Sequence, residues 1–223
     1  MNNSIIPISI RLAEIAYHKG MHHVIISAGS RSAPITIAFA RHPNVKTYVI
    51  PDERSAGYIA LGMSLKLGQP IGLVCTSGTA AINLYPAIAE AYYQNIPLLV
   101  FTADRPPEWI DQADGQTIHQ ENLYGRHVKK FSTLPSDQIH QDGYWHIDRV
   151  INETINTALD PVQGPVHLNI PIREPFYPED SDEYLFKSNS KMTDTPGKTG
   201  DLNNVKWDEL KDIWNRSHHI MVV

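Results

Sequence analysis

The feature that most constrains this chain is a rhythm. Six short runs, "HHVIIS" (His22–Ser27), "VKTYVI" (Val45–Ile50), "IGLVCT" (Ile71–Thr76), "IPLLVFTA" (Ile96–Ala103), "KKFSTL" (Lys129–Leu134) and "PVHLNIP" (Pro165–Pro171), alternate with longer stretches of helical spacing. In the first of those stretches Ile8, Leu12, Ile15 and Ala16 share one face, Pro7 suits a first turn and Gly20 ends the helix. "APITIAFARH", "ERSAGYIALGMSLKLG", "TAAINLYPAIAEAYYQN" and "YWHIDRVINETINTAL" read as the helices that follow. Strands that are apolar throughout, rather than every second residue, are buried on both faces. The expectation is an α/β domain: a six-stranded parallel sheet over roughly residues 22 to 172, with helices on both faces.

After Pro178 the pattern stops. Residues 1–178 are read as one domain, 179–204 as a polar linker without periodicity, and 205–223 as the start of a second domain. There "VKWDELKDIWNRS" has amphipathic helical spacing and "HHIMVV" opens a further apolar run, so the chain is expected to stop just inside that domain. A net charge of -5 gives no electrostatic reason to expect nucleic acid or a membrane surface. No stretch approaches the roughly 20 apolar residues of a membrane span, and the N-terminus lacks a basic n-region, so a soluble cytoplasmic protein is expected. The one cysteine, Cys75, lies inside an apolar run and reads as a small core residue. The 11 histidines show no metal-ligand spacing and are assigned to surface and core.

Ligands of open parallel sheets bind beyond the carboxyl ends of the strands. That rule selects four loops. "SAGSRSAP" places Ser30 and Ser32 where they can cap a helix and Arg31 at its N-terminus; it is either a capped helix with a solvated arginine or an anion site. "PDERSAGYIALG" sets Asp52 and Glu53 at a strand end, where an acid either caps the next helix or is a carboxyl with chemical work to do. "TSGTAAINLYP" is an ordinary cap or a weak phosphate cradle; it lacks the Gly-Lys-Ser/Thr of a P-loop. "TADRPPEWIDQADGQTIHQ" is a long irregular excursion, in which Arg105 either pairs with Asp104 or Glu108 or serves a ligand.

Taken together and in order, "GSRSAP", "DERSAGYIALG", "TSGTAAINLYPAIAEA", "TADRPPE" and "GQTIHQ" closely resemble the N-terminal, pyrimidine-binding domain of the thiamine-diphosphate-dependent decarboxylases and synthases, in their menaquinone-pathway branch. The resemblance covers residues 1 to about 175. It implies three α/β domains and a reaction in which 2-oxoglutarate is decarboxylated on thiamine diphosphate and the carbanion added to isochorismate. It implies Glu53 as the carboxyl that hydrogen-bonds N1′ of the aminopyrimidine, in a cleft where desolvation raises a carboxyl pKa. Thr76, Thr79 and Asn83 are implied to line the pyrimidine. Ser30, Arg31 and Arg105 are implied at substrate carboxylates, and Gln116 beside the reacting centre. The Gly-Asp-Gly…Asn signature that holds magnesium and diphosphate is absent from the 223 residues, so magnesium is assigned to a domain outside this chain.

Two departures stand out. Ala28 precedes Gly29 where the family pattern has proline, and Gly115 replaces an amide. The family implies a homodimer or homotetramer, with helices around Ser55–Leu65 and Ala80–Tyr93 as interface candidates, and an isolated 223-residue piece that is inactive. Other readings are the pyrimidine domain of another thiamine enzyme, acetohydroxyacid-synthase-like or oxalyl-decarboxylase-like, and a non-catalytic α/β binding module.

Overall fold

The computed structural model describes residues 5–136, 143–173, 186, 190–193 and 207–217. The expected final run at 218–223, the 178/179 boundary and most of the 179–204 stretch lie outside them. The chain divides into two compact units, 1–193 and 194–223. In the second, the described residues form the amphipathic helix Trp207–Arg216 (α7).

The first unit alternates as expected: α1 (Ile5–His18), β1 (His23–Ile26), α2 (Ala33–Arg41), β2 (Lys46–Val49), α3 (Glu53–Leu67), β3 (Ile71–Cys75), α4 (Thr79–Asn83), α5 (Tyr85–Tyr93), β4 (Leu98–Asp104), β5 (Phe131–Thr133), α6 (Gly143–Leu159) and β6 (Val166–Pro171). All six strands are parallel, in the order β2-β1-β3-β4-β6-β5.

The pleat sorts each strand's side chains between two cores. Val24, Ile26, Val74, Leu99, Phe101 and Ala103 face one side, where α1, α2 and α6 bring Leu12, Ile15, Phe39, Ile151 and Ile155. Ile25, Ile71, Leu73, Cys75, Leu98 and Val100 face the other, against Ala56, Ala60, Ala81 and Ile88 of α3, α4 and α5. β3, β4 and β6 are buried at every position, which explains the continuous apolar runs of β3 and of Leu98–Phe101 in β4; β6 is buried as completely but carries His167 and Asn169 among its apolar residues. On the second side the helices touch closely: a Cβ on Gly57 of α3 would lie 2.8 Å from the Ala87 Cβ of α5.

Two expectations need correction. β2 was expected to be buried, yet Lys46 and Val49 are exposed, because the strand is a sheet edge. The stretch 79–93 reads as one helix but forms two, broken at Leu84. Pro86 has no N–H for the Ile82 carbonyl, and its ring crowds that carbonyl, so the ladder restarts with Pro86 in a new first turn.

Part of the stretch read as linker is bonded to this unit. Thr193 N donates to Asn152 Oδ1 at 3.0 Å, Asn152 Nδ2 donates to the Lys191 carbonyl at 2.9 Å, and Asn156 Nδ2 to the Thr193 carbonyl at 2.9 Å. Asn152 and Asn156 lie four residues apart on α6, one above the other, which suits them to hold an extended backbone.

Candidate active site at the strand ends

β1 is the strand from which the chain winds outward both ways, to β2 on one side and β3 on the other. The connections leaving β1 and β3 therefore part and open a crevice at their carboxyl ends. Across its rim the Ser27 hydroxyl donates to the Ile50 carbonyl at 2.8 Å, tying the end of β1 to that of β2.

The first loop passes the third at touching distance. A Cβ on Gly29 would lie 2.5 Å from the Thr76 Cβ, so only glycine permits the crossing. Ser32 occupies the position before α2 but makes no side-chain cap; its hydroxyl donates to the Gly29 carbonyl at 3.0 Å instead. The capped-helix reading of that loop therefore fails for Ser32. Arg31 is not solvated either. It is 7% exposed, donates through Nη1 to the Ile172 carbonyl, and lies 5.7 Å from the Trp109 ring centroid. Its Nε has no partner although it is buried. Burial, and then the like charge of Arg105, push the Arg31 pKa down from its ordinary value.

In the second loop Asp52 makes the cap, accepting from Ser55 N at 2.7 Å. Glu53 opens α3 half-buried, free of capping duty, and its charge adds to burial in raising the Cys75 thiol pKa at the end of β3. In the third loop Gly78 adopts φ 79°, ψ -144°, a region open to glycine, and leads into α4. Thr76 is half-buried, while Thr79 at the start of α4 and Asn83 at its end are exposed.

Arg105 pairs with neither Asp104 nor Glu108. Its Nε donates to Asp114 Oδ2 at 2.7 Å, and the rest of its fork goes to the Ser77 hydroxyl and the Gly115 and Gln116 carbonyls. Glu108 pairs with Arg173 at 2.5 Å. Asp104 accepts from its neighbour's backbone, Arg105 N, and from Asn169 Nδ2, each at 2.7 Å. Burial raises the Asp104 pKa, and these hydrogen bonds offset part of that. A cleft of about 250 Å³ opens here, lined by Asp104, Arg105, Ile110, Gln120 and Asn169 among others.

Several residues of this site were not singled out in the sequence. Gln120, 1% exposed, accepts from Gly78 N at 2.9 Å and donates to the Ala103 carbonyl and Asn169 Oδ1, joining the third loop to β4 and β6. Thr102 donates to Asn169 Oδ1 at 2.7 Å, so His167 Nε2, 2.7 Å from the same hydroxyl, is the donor to it. Burial lowers the His167 pKa to about 3, and its Nδ1 has no partner. Of the site residues predicted from the sequence, only Arg105 lines that cleft. Arg31 lies within electrostatic reach of Arg105, Gln116 is tied to Arg105 through its carbonyl, Thr76 touches the first loop at Gly29, Glu53 acts on Cys75 at the end of β3, and Ser30 is exposed. Asn83 lies at the far end of α4.

The family described as "Thiamine pyrophosphate enzyme, N-terminal TPP binding domain" matches residues 10–123. The chain is 46% identical over 200 residues to the 2-succinyl-5-enolpyruvyl-6-hydroxy-3-cyclohexene-1-carboxylate synthase of Cytophaga hutchinsonii, covering 90% of this chain and 35% of that protein. It is 48% identical over 166 residues to the synthase of the same name from Porphyromonas gingivalis, covering 74% and 29%. It spans about a third of the length of these relatives. Among solved structures, the thiamine diphosphate-dependent 4-hydroxybenzoylformate decarboxylase of Rhodococcus jostii superposes with a TM-score of 0.63 at 23% identity, covering 74% of this chain and 30% of that one, a likeness of fold.

Proposed function

We infer the function from one premise: the chain belongs to the thiamine pyrophosphate enzymes, whose N-terminal TPP binding domain it carries. We propose that it is the pyrimidine-binding part of a 2-succinyl-5-enolpyruvyl-6-hydroxy-3-cyclohexene-1-carboxylate synthase. The whole protein would decarboxylate 2-oxoglutarate and join the remaining succinyl unit to isochorismate on the way to menaquinone. In this reading residues 1–178 are the pyrimidine domain, 179–204 a linker, and 205–223 the start of the central domain. The observation that carries it is one carboxylate, Glu53, and two buried guanidiniums, Arg31 and Arg105, set past the carboxyl ends of β2, β1 and β4 of one parallel sheet.

The residues suit the pyrimidine half of the cofactor. Glu53 offers a half-buried carboxyl beside the apolar end of β3, and Thr76 and Thr79 offer hydroxyls at the α4 start. When bound, thiamine diphosphate supplies the electron sink for decarboxylation and carbon–carbon bond formation. Glu53 would hold a proton toward N1′ of the aminopyrimidine ring, with Thr76, Thr79 and Asn83 lining that ring. Arg31, Arg105 and Ser30 would bind substrate carboxylates, since a guanidinium fork matches a carboxylate in plane and spacing. Gln116 would stand beside the reacting centre. Magnesium and the diphosphate would be held by a domain outside these residues.

The protein would work in the cytoplasm as a homodimer or homotetramer. The exposed apolar side chains Tyr58, Ile59 and Leu65 of α3 and Tyr92 and Tyr93 of α5 support those helices as the subunit contact. Among the described residues no helix is long and apolar enough to cross a membrane. The test uses the full-length protein and follows magnesium- and thiamine-diphosphate-dependent loss of 2-oxoglutarate with isochorismate present. Glu53→Gln is expected to lower turnover by about 10²–10⁴-fold. Undiminished turnover in that variant refutes the assignment of Glu53.

A further inference from the structure

Arg105 follows β4 directly, is 8% exposed, and spends its guanidinium on its own chain. Nε reaches Asp114, Nη1 reaches the Ser77 hydroxyl and the Gln116 carbonyl, and Nη2 reaches the Gly115 carbonyl. Three consecutive residues, 114 to 116, are therefore folded around one side chain nine positions upstream. Of these acceptors only Asp114 carries a charge, and its side chain is 39% exposed against 9% for Arg105. The carboxylate lies at the open end of the ion pair and the guanidinium at its closed end.

The loop does not take this shape from local preference. Asp111 (φ 63°), Ala113 (φ 60°) and Gln116 (φ 55°) all stand in the left-handed region, which is unfavourable for residues with a Cβ. The Gln116 backbone is pressed onto Gly78, where a Cβ would meet the Gln116 carbonyl oxygen at 2.8 Å. Bonds to Arg105 supply what the φ values lose. Beside them lies Arg31, buried, with Nε unpartnered. The crevice thus holds two guanidiniums and a carboxylate of its own.

We propose that Asp114 is an internal competitor for the Arg105 guanidinium: a carboxylate ligand binds by displacing the Asp114 carboxylate, and Asp114 thereby sets the affinity of the crevice for carboxylates. The proposal rests on the assignment of Arg105 to a substrate carboxylate made above. The exchange substitutes one ion pair for another. Asp114, already partly in water, is released to water, while the Ser77 hydroxyl keeps Arg105 in place. Binding free energy is then a difference between two carboxylates on one fork, and removing the internal one raises affinity for the external one.

The experiment measures equilibrium binding of isochorismate and, separately, 2-oxoglutarate to the full-length protein and its Asp114→Asn, Arg105→Ala and doubly substituted forms. Phenylglyoxal modification of Arg105, mapped by mass spectrometry, is followed in parallel. Asp114→Asn is expected to tighten binding of at least one ligand about three- to tenfold, to speed modification of Arg105, and to lose the gain when Arg105→Ala is added. If Asp114→Asn changes neither affinity nor modification rate while Arg105→Ala weakens binding, the competition is refuted and Arg105 remains a ligand-binding residue. If Arg105→Ala binds both ligands as wild type does, the assignment of Arg105 falls and the competition with it.

Discussion

Replacing Gly29 by alanine tests the crossing of the first and third loops. The new Cβ would sit 2.5 Å from the Thr76 Cβ, 2.7 Å from its Cγ2 and 2.9 Å from its Oγ1, all inside van der Waals contact. Rotating Thr76 removes the last two conflicts and leaves the first, because Cβ does not move with χ1. The backbone of one loop must therefore yield, at a cost of about 1–3 kcal/mol, the range for overpacking a close contact. For a unit of this size that lowers the melting temperature by roughly 2–4 °C per kcal/mol. The design is a double-mutant cycle in urea, read by far-ultraviolet circular dichroism. Gly29→Ala alone is destabilising, and adding Thr76→Ser gives no relief, since serine keeps the offending Cβ. Adding Thr76→Gly relieves the clash, with a coupling of about 0.5–3 kcal/mol between the two positions. Rescue by serine, or additive effects of Gly29→Ala and Thr76→Gly, would show that the loops do not touch as described and refute the reasoning.

Protonation of His167 gives a second prediction. Its pKa is lowered from about 6.5 when unfolded to about 3 in the fold, so the unfolded state binds the extra proton between those values. Stability then falls as pH drops below about 6.5, by up to about 1.4 kcal/mol per pH unit, and His167→Phe flattens that slope. His42, lowered by burial, acts in the same direction; Glu14, raised by burial, acts in the opposite one, so the slope is measured as the difference between wild type and variant. Gln120→Leu leaves Gly78 N and the Ala103 carbonyl without their partner and is expected to cost about 1–3 kcal/mol for each group left unpaired, read as a lower urea midpoint.

The alternation of strands and helices was legible because burial on both faces writes itself into composition, and β3 and the first half of β4 show it most plainly. β2 misled because an edge strand carries its exposure in its position in the sheet, which the run "VKTYVI" does not record. A cap on α3 from one of its two leading acids could be expected in advance, since a cap is a local matter of three residues; that Asp52 makes it is shown by its bond to Ser55 N. Arg105 could not be paired in advance: its partner Asp114 is reached through a loop with no periodicity, held in left-handed turns by contacts. Gln120 was missed for a related reason. A lone glutamine in a polar stretch carries no pattern, and the signal that would have found it is the need of a buried Gly78 N–H for an acceptor.

The strand order also sets a schedule for synthesis. β6 lies between β4 and β5, yet it is the last of the six to leave the ribosome. From the end of β4 to the start of β6 is roughly sixty residues, or about 3–12 s of elongation at roughly 5–20 residues per second. Throughout that interval β4 presents an unpaired edge on a strand that is apolar from Leu98 to Phe101, the kind that recruits other strands. Nascent chains stalled between residues 105 and 165 should therefore be the ones that aggregate or engage chaperones, and release from both should coincide with the emergence of Val166–Pro171.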